Sequence, residues 1–151
     1  MSQQAYVEIR GLGLAGEGED GGYESNLFPY VIEILGELAT KAGVTVPNAF
    51  CFVPSEEDHD AVEAALEDFE GDDEAEEERL MSERGPFHDA AEGVRTLDAL
   101  IGVLRSAPAA RFRSGRHTFL AEDIADDLSE MRGLVGAAAQ GGKPFRIHLS
   151  A

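Results

Sequence analysis

Two segments of the chain alternate apolar and polar residues with a period of two. Ala5 to Arg10 sets Val7 and Ile9 against Glu8 and Arg10, and Phe145 to Leu149 sets Phe145, Ile147 and Leu149 against Arg146 and His148. That alternation predicts two strands, each with one face on a core and one in water. The four charged or polar residues on the wet faces resemble edge protection. Elsewhere the pattern follows helical spacing. Leu27, Val31, Leu35 and Leu38, with Ile34 beside them, predict a helix that Ser25 or Asn26 can cap, that accepts Pro29 in its first turn, and that stops at Gly43. Val94, Leu97, Leu100, Ile101 and Leu104 predict another, halted before Pro108. A last helix carries Ile124, Leu128, Met131, Leu134 and Val135, preceded by Thr118 and ending near Gly141-Gly142.

Val44 to Val46 and Phe50 to Val53 are short apolar runs divided by a Pro47-Asn48 turn signal. The second is apolar on both faces, which predicts a buried central strand. A right-handed parallel crossover through the first helix would join it to the opening strand. The six glycines between Gly11 and Gly22 predict a loop. The expected fold is therefore α+β, a single compact domain over 1–151. Its small mixed sheet of three or four strands is packed by about four helices, and an acidic, mobile connector covers 70–86.

Ser55 with Asp58 has the form of a capping box, with Asp in place of the usual Glu, and Val62, Ala65, Leu66 and Phe69 make a short apolar stripe behind it. Glu56, Glu57 and Asp58 suit the positive end of that helix. After Gly71 the stripe fails. Asp72 to Glu78 holds six acids and one alanine, so the pattern allows either an exposed helix or a loop. Glu74 and Glu78, four apart, oppose a helix by about 0.2–0.5 kcal/mol.

Charge sharpens this picture. Of thirty acids and twelve bases, fifteen acids and two arginines lie between Glu56 and Arg84, so that stretch carries 13 of the 18 net negative charges. A charge run of this kind is an interaction or solubility device, whereas salt adaptation would spread acids over every exposed face. The single cysteine, Cys51, excludes an intrachain disulfide and a cysteine-based metal cage, which suits a reducing cytoplasm. No window approaches a membrane span, and the first residues lack the basic flank and apolar run of an export signal.

Candidate chemistry is sparse. Gly11, Gly13 and Gly16 have dinucleotide-loop spacing, but Glu17, Glu19 and Asp20 follow where a phosphate-binding helix would have to open. No cofactor is expected. His88-Asp89 resembles the HD dyad of metal-dependent phosphohydrolases, with His59 and Asp123 or Asp126 as the remaining candidate ligands. Asp58-His59-Asp60 cannot converge on one ion from consecutive helical positions, and no metal ligands are assigned. Cys51, between two phenylalanines, reads as a buried apolar thiol. The enzyme signatures G-x-S-x-G, H-E-x-x-H and the P-loop do not occur, and no catalytic residue is assigned.

Arg111, Arg113 and Arg116 form the one basic cluster, suited either to an anion or to internal pairing with the acidic stretch. The net charge opposes direct nucleic-acid binding. These observations favour a non-enzymatic binding protein of inhibitor, immunity or DNA-mimic type. Asp72, Asp73, Glu74, Glu76, Glu77 and Glu78 would face a basic partner protein. The alternatives are a domain whose acidity serves solubility or salt tolerance, and a metal-dependent hydrolase using His88 and Asp89. Both a monomer and a homodimer fit.

Overall fold

The two alternating segments pair with each other. The computed structural model describes residues 4–10, 13–14, 24–71 and 73–150. In chain order its elements are β1 (Gln4–Ile9), β2 (Gly13–Leu14), β3 (Glu24–Ser25), α1 (Phe28–Ala42), β4 (Cys51–Phe52), α2 (Glu56–Leu66), α3 (Asp73–Ser82), α4 (Ala90–Arg105), β5 (Arg111–Ser114), β6 (His117–Leu120), α5 (Ala121–Gln140) and β7 (Phe145–Ser150). β1 runs antiparallel to β7, with Val7 opposite Ile147 and Glu8 opposite Arg146. β4 lies parallel to β7 on its other side, and β2 and β3 pair antiparallel with β1. The sheet is mixed, and with the helices it makes the α+β fold expected from the patterning.

One face of the sheet carries Ala5, Val7, Ile9, Phe145 and Ile147, all buried. Against it pack Phe28, Val31 and Leu35 of α1, Leu97, Leu100 and Leu104 of α4, and Ile124, Leu128, Met131 and Val135 of α5. Each such side chain, fully withdrawn from water, contributes about 1.5–3 kcal/mol. The helices start and stop where local chemistry allows. Ser25 Oγ accepts from the Phe28 amide at 2.9 Å, Pro29 occupies the first turn of α1, and Gly43 closes it. Asp89 caps α4 by accepting from the Ala91 amide.

Several expectations need correction. β4 is two residues long and forms the edge of the sheet, because Pro47–Phe50 winds into a 3-10 turn instead of extending the strand. The interior positions belong to β1 and β7. With β7 between them, β1 and β4 are not neighbours and run in opposite senses, so no parallel crossover joins them. Within the expected glycine loop, Gly13 pairs opposite Ile9 in β2, while Gly11 and Gly16 lie outside the described residues. Thr118 belongs to a strand rather than a helix approach, since β5 and β6 make a hairpin ahead of α5. Of the two states open to the acidic stretch, an exposed helix or a loop, ten residues take the helical one, as α3.

Candidate functional site

The acidic stretch folds as a helical hairpin. Its first helix opens with the box anticipated from Ser55 and Asp58: the Asp58 amide donates to Ser55 Oγ at 3.1 Å, and the Ser55 amide donates to Asp58 Oδ2 at 2.9 Å. The helix ends at Leu66, a turn covers Glu67 to Gly71, and α3 begins at Asp73. Arg84, just past α3, donates to Asp58 Oδ1 at 2.5 Å. That contact ties the end of the second helix to the start of the first, so the two run antiparallel.

Few apolar contacts hold this hairpin in place. Val62 is the buried residue of α2, and α3 buries none. A charged anchor on the sheet supplies what packing does not. Arg146, fully buried, donates to the Arg84 carbonyl and, through Nη2, to the Met81 carbonyl at 3.2 Å. Its guanidinium lies between the rings of Phe52 and Phe87, 3.8 and 4.2 Å from their centroids. The same Nη2 donates to Glu8 Oε2 at 2.9 Å, and His148 Nδ1 stands 3.3 Å from Glu8 Oε1. Burial pushes the Glu8 carboxyl upward, but the hydrogen bonds from His148 and Arg146 and the Arg146 charge outweigh it and hold Glu8 below its ordinary value. Gly85 makes the approach possible: its φ is +77°, and a Cβ there would stand 2.6 Å from the Phe52 ring and 3.1 Å from Arg146 Nη1.

This network sits on the faces expected to be wet. Glu8 and Arg146 face away from the apolar core, yet α3 and residues 81–87 cover them. The alternating pattern marks these charges as edge protection, whereas Glu8 and Arg146 are buried. One signal was present: antiparallel pairing of the two strands sets an acid opposite a base, and a short amphipathic helix needs a surface to cover.

Among the acids singled out from sequence, Glu76 accepts from Arg79 Nε at 2.8 Å, and Glu83 accepts from Arg79 Nη1 at 2.9 Å. Asp73, Glu74, Glu77 and Glu78 are exposed on α3, whereas Asp72 lies outside the described residues. Both arginines of the stretch are thus engaged within it, Arg79 with Glu76 and Glu83 and Arg84 with Asp58. Arg111 and Arg113 lie two apart on β5 and Arg116 in the turn that follows, and among the described residues no ion pair joins them to a carboxylate.

The dyad has other employment. His88 exchanges backbone hydrogen bonds with Phe145 and sets its ring edge-on to Phe50, and Asp89 caps α4. Asp126 pairs with Arg105 at 3.6 Å, and His59 is exposed on α2. Among the described residues no three His, Cys, Asp or Glu side chains converge as metal ligands would. Burial pushes the Cys51 thiol up to about 12, which keeps it protonated and unreactive at neutral pH. No helix among the described residues is long and apolar enough to cross a membrane. Comparison with protein-family models, with curated proteins and with solved structures finds no match.

Acid should loosen the base of the hairpin. The Ser55 amide, followed by Arg84, holds Asp58 down at about 2 against an ordinary 3.8. A depressed carboxyl stabilises the fold above its unfolded value, and that contribution disappears as pH falls from 3.8 towards 2. Thermal melts across this window should therefore show a steeper loss for the native chain than for Asp58→Asn. Parallel slopes would remove Asp58 from the account of acid stability.

Proposed function

We propose that this chain is a non-enzymatic binding protein whose α2–α3 hairpin offers a carboxylate surface to a basic partner protein. What supports the reading is that the acids stand on a defined platform. The capping box, the Arg84 contact and the Arg146 anchor fix the hairpin against the sheet. The two arginines within the stretch are already satisfied by Asp58, Glu76 and Glu83. Carboxylates such as Glu57, Glu63, Asp73, Glu77 and Glu78 therefore face solvent from rigid helices, so they lose little freedom when a cation meets them.

A surface of this sign accelerates encounter with a basic partner at low salt and loses that advantage as ions screen it over about 8 Å at physiological ionic strength. A tail serving solubility alone needs neither a cap nor a buried anchor. The direct test replaces Asp72, Asp73, Glu74, Glu76, Glu77 and Glu78 with Ser and compares affinity capture from a native lysate. Basic proteins held by the native chain should disappear from the variant, and an unchanged set would sink the reading.

A further inference from the structure

The β5–β6 hairpin carries the opposite charge and stands on the opposite side of the sheet. Phe112 and Phe119 face each other across its strands and pack on the apolar core, where the hairpin meets α1 and α5. Its other face is bare. There Arg111 pairs across the strands with Leu120, and Arg113 with Thr118, all four exposed. Gly115, at φ +60°, opens the two-residue turn, which places Arg116 at the tip. In a chain with thirty acids these arginines have no carboxylate partner among the described residues. The reason is position: α1, α4 and α5 cover one face of the sheet together with this hairpin, while α3 and the segment after it meet Arg146 on the other.

The two surfaces complement each other in more than sign. Leu120 is 37% exposed among arginines; Phe69 is 37% exposed between Asp68 and Glu70. The Phe69 ring lies over Gly71, just ahead of α3, since a Cβ on Gly71 would stand 3.2 Å from it. The spacings also correspond. Residues two apart on a strand, such as Arg111 and Arg113, are about 6.7 Å apart. Residues four apart on a helix, such as Asp73 and Glu77, rise about 6 Å. Complementary patches on opposite sides of one molecule meet only between molecules.

We propose that the open face of β5–β6 docks on the Phe69 turn and α3 of a second copy of this chain, head to tail. The proposal rests on the reading of α2–α3 as a recognition surface and names the chemistry of one partner for it. Such a contact is heterologous, so repetition gives a ring where the rotation closes and an open chain where it does not. Each copy carries a net charge of −18, and that long-range repulsion is screened beyond about 8 Å at 0.15 M salt, whereas the touching pairs are not. Association should accordingly rise from very low salt to about 0.15 M and fall again near 1 M.

Sedimentation at 0.15 M salt over about 10 μM to 1 mM tests this. The native chain should show mass increasing with concentration, and Arg111→Glu/Arg113→Glu should weaken the association roughly tenfold or more. A second variant, Asp68→Lys/Glu70→Lys/Asp73→Lys/Glu77→Lys, should also be monomeric. Mixed in equal amounts, the two variants should regain association, because the retained acidic patch of one meets the retained basic patch of the other and the reversed patches are complementary in turn. Circular dichroism checks that both remain folded. A native chain that stays monomeric throughout, or variants that stay monomeric when mixed, overturns the proposal. The wider reading is scored separately: if the arginine variant still captures basic proteins that the serine variant does not, recognition by α2–α3 stands without self-association.

Discussion

Replacing Arg146 by Ala should cost about 3–5 kcal/mol, because it leaves the Glu8 carboxylate buried without its cation. The side chain of Glu8 is only 4% exposed and cannot reach water without opening the hairpin. The same change strips donors from the carbonyls of Met81 and Arg84 and removes a cation from between two phenyl rings, a contact worth about 2 kcal/mol or more when desolvated. Domains are stable by about 5–15 kcal/mol, so a large share of the total depends on one side chain. The expected fall in Tm is roughly 10 °C. Hydrogen exchange should rise in α2 and α3 before it rises in α4 and α5.

A double variant separates the pair from the packing. Glu8→Met/Arg146→Met removes both charges and keeps volume, and should recover most of what Arg146→Ala loses, since buried pairs often do no better than apolar replacements. A single Arg146→Ala chain melting within about 2 °C of the native one would show that the anchor does not hold the hairpin.

The second large effect falls on Gly93, where two influences oppose each other. In the middle of a helix Ala is favoured over Gly by about 1 kcal/mol. At Gly93 that advantage is overruled, because a Cβ would stand 2.4 Å from Phe145 Cζ, 2.5 Å from its Cε1 and 3.1 Å from Val135 Cγ1. Phe145 is 1% exposed and belongs to the buried core. Overpacking of this kind costs about 1–3 kcal/mol, so Gly93→Ala should destabilise on balance. Gly102→Ala and Gly133→Ala meet nothing within 4 Å and should stabilise by about 0.4–1 kcal/mol. Denaturation midpoints of the three variants check the contrast; a common sign would mean that α4 and the sheet are not packed through Gly93.

The contrast also explains what could be read from the chain. Helices with a full apolar stripe, such as Val31–Leu35 and Leu97–Leu100–Leu104, announce themselves through spacing. Caps are equally legible, as Ser25 and the Ser55–Asp58 box show, because they depend on residues a few positions apart. Strand neighbours are another matter. Nothing local in Phe50 to Val53 says that Phe50 belongs to a 3-10 turn or that β7 lies between β1 and β4, since both depend on partners about a hundred residues away.

The β5–β6 hairpin was hidden by its own composition. Arg111 and Arg113 alternate with Phe112 and Ser114 as a strand should, yet the charge drew them into a basic cluster. For the candidate site, the acids of α3 were legible as a charge excess. Their support was not, because burial of Glu8 and Arg146 appears only when a second layer lies over the polar face.

Having β7 between β1 and β4 governs the order in which the molecule can assemble. Ile9 and Phe145 are direct strand partners, although 135 residues of chain lie between them. Until β7 is available, β1 and β4 have no shared neighbour, and the carbonyls of Met81 and Arg84 have no guanidinium to receive them. A chain emerging during synthesis can form α1, α4 and most of α5 from local contacts, but the Arg146 anchor of its acidic hairpin must wait for the last of the described strands.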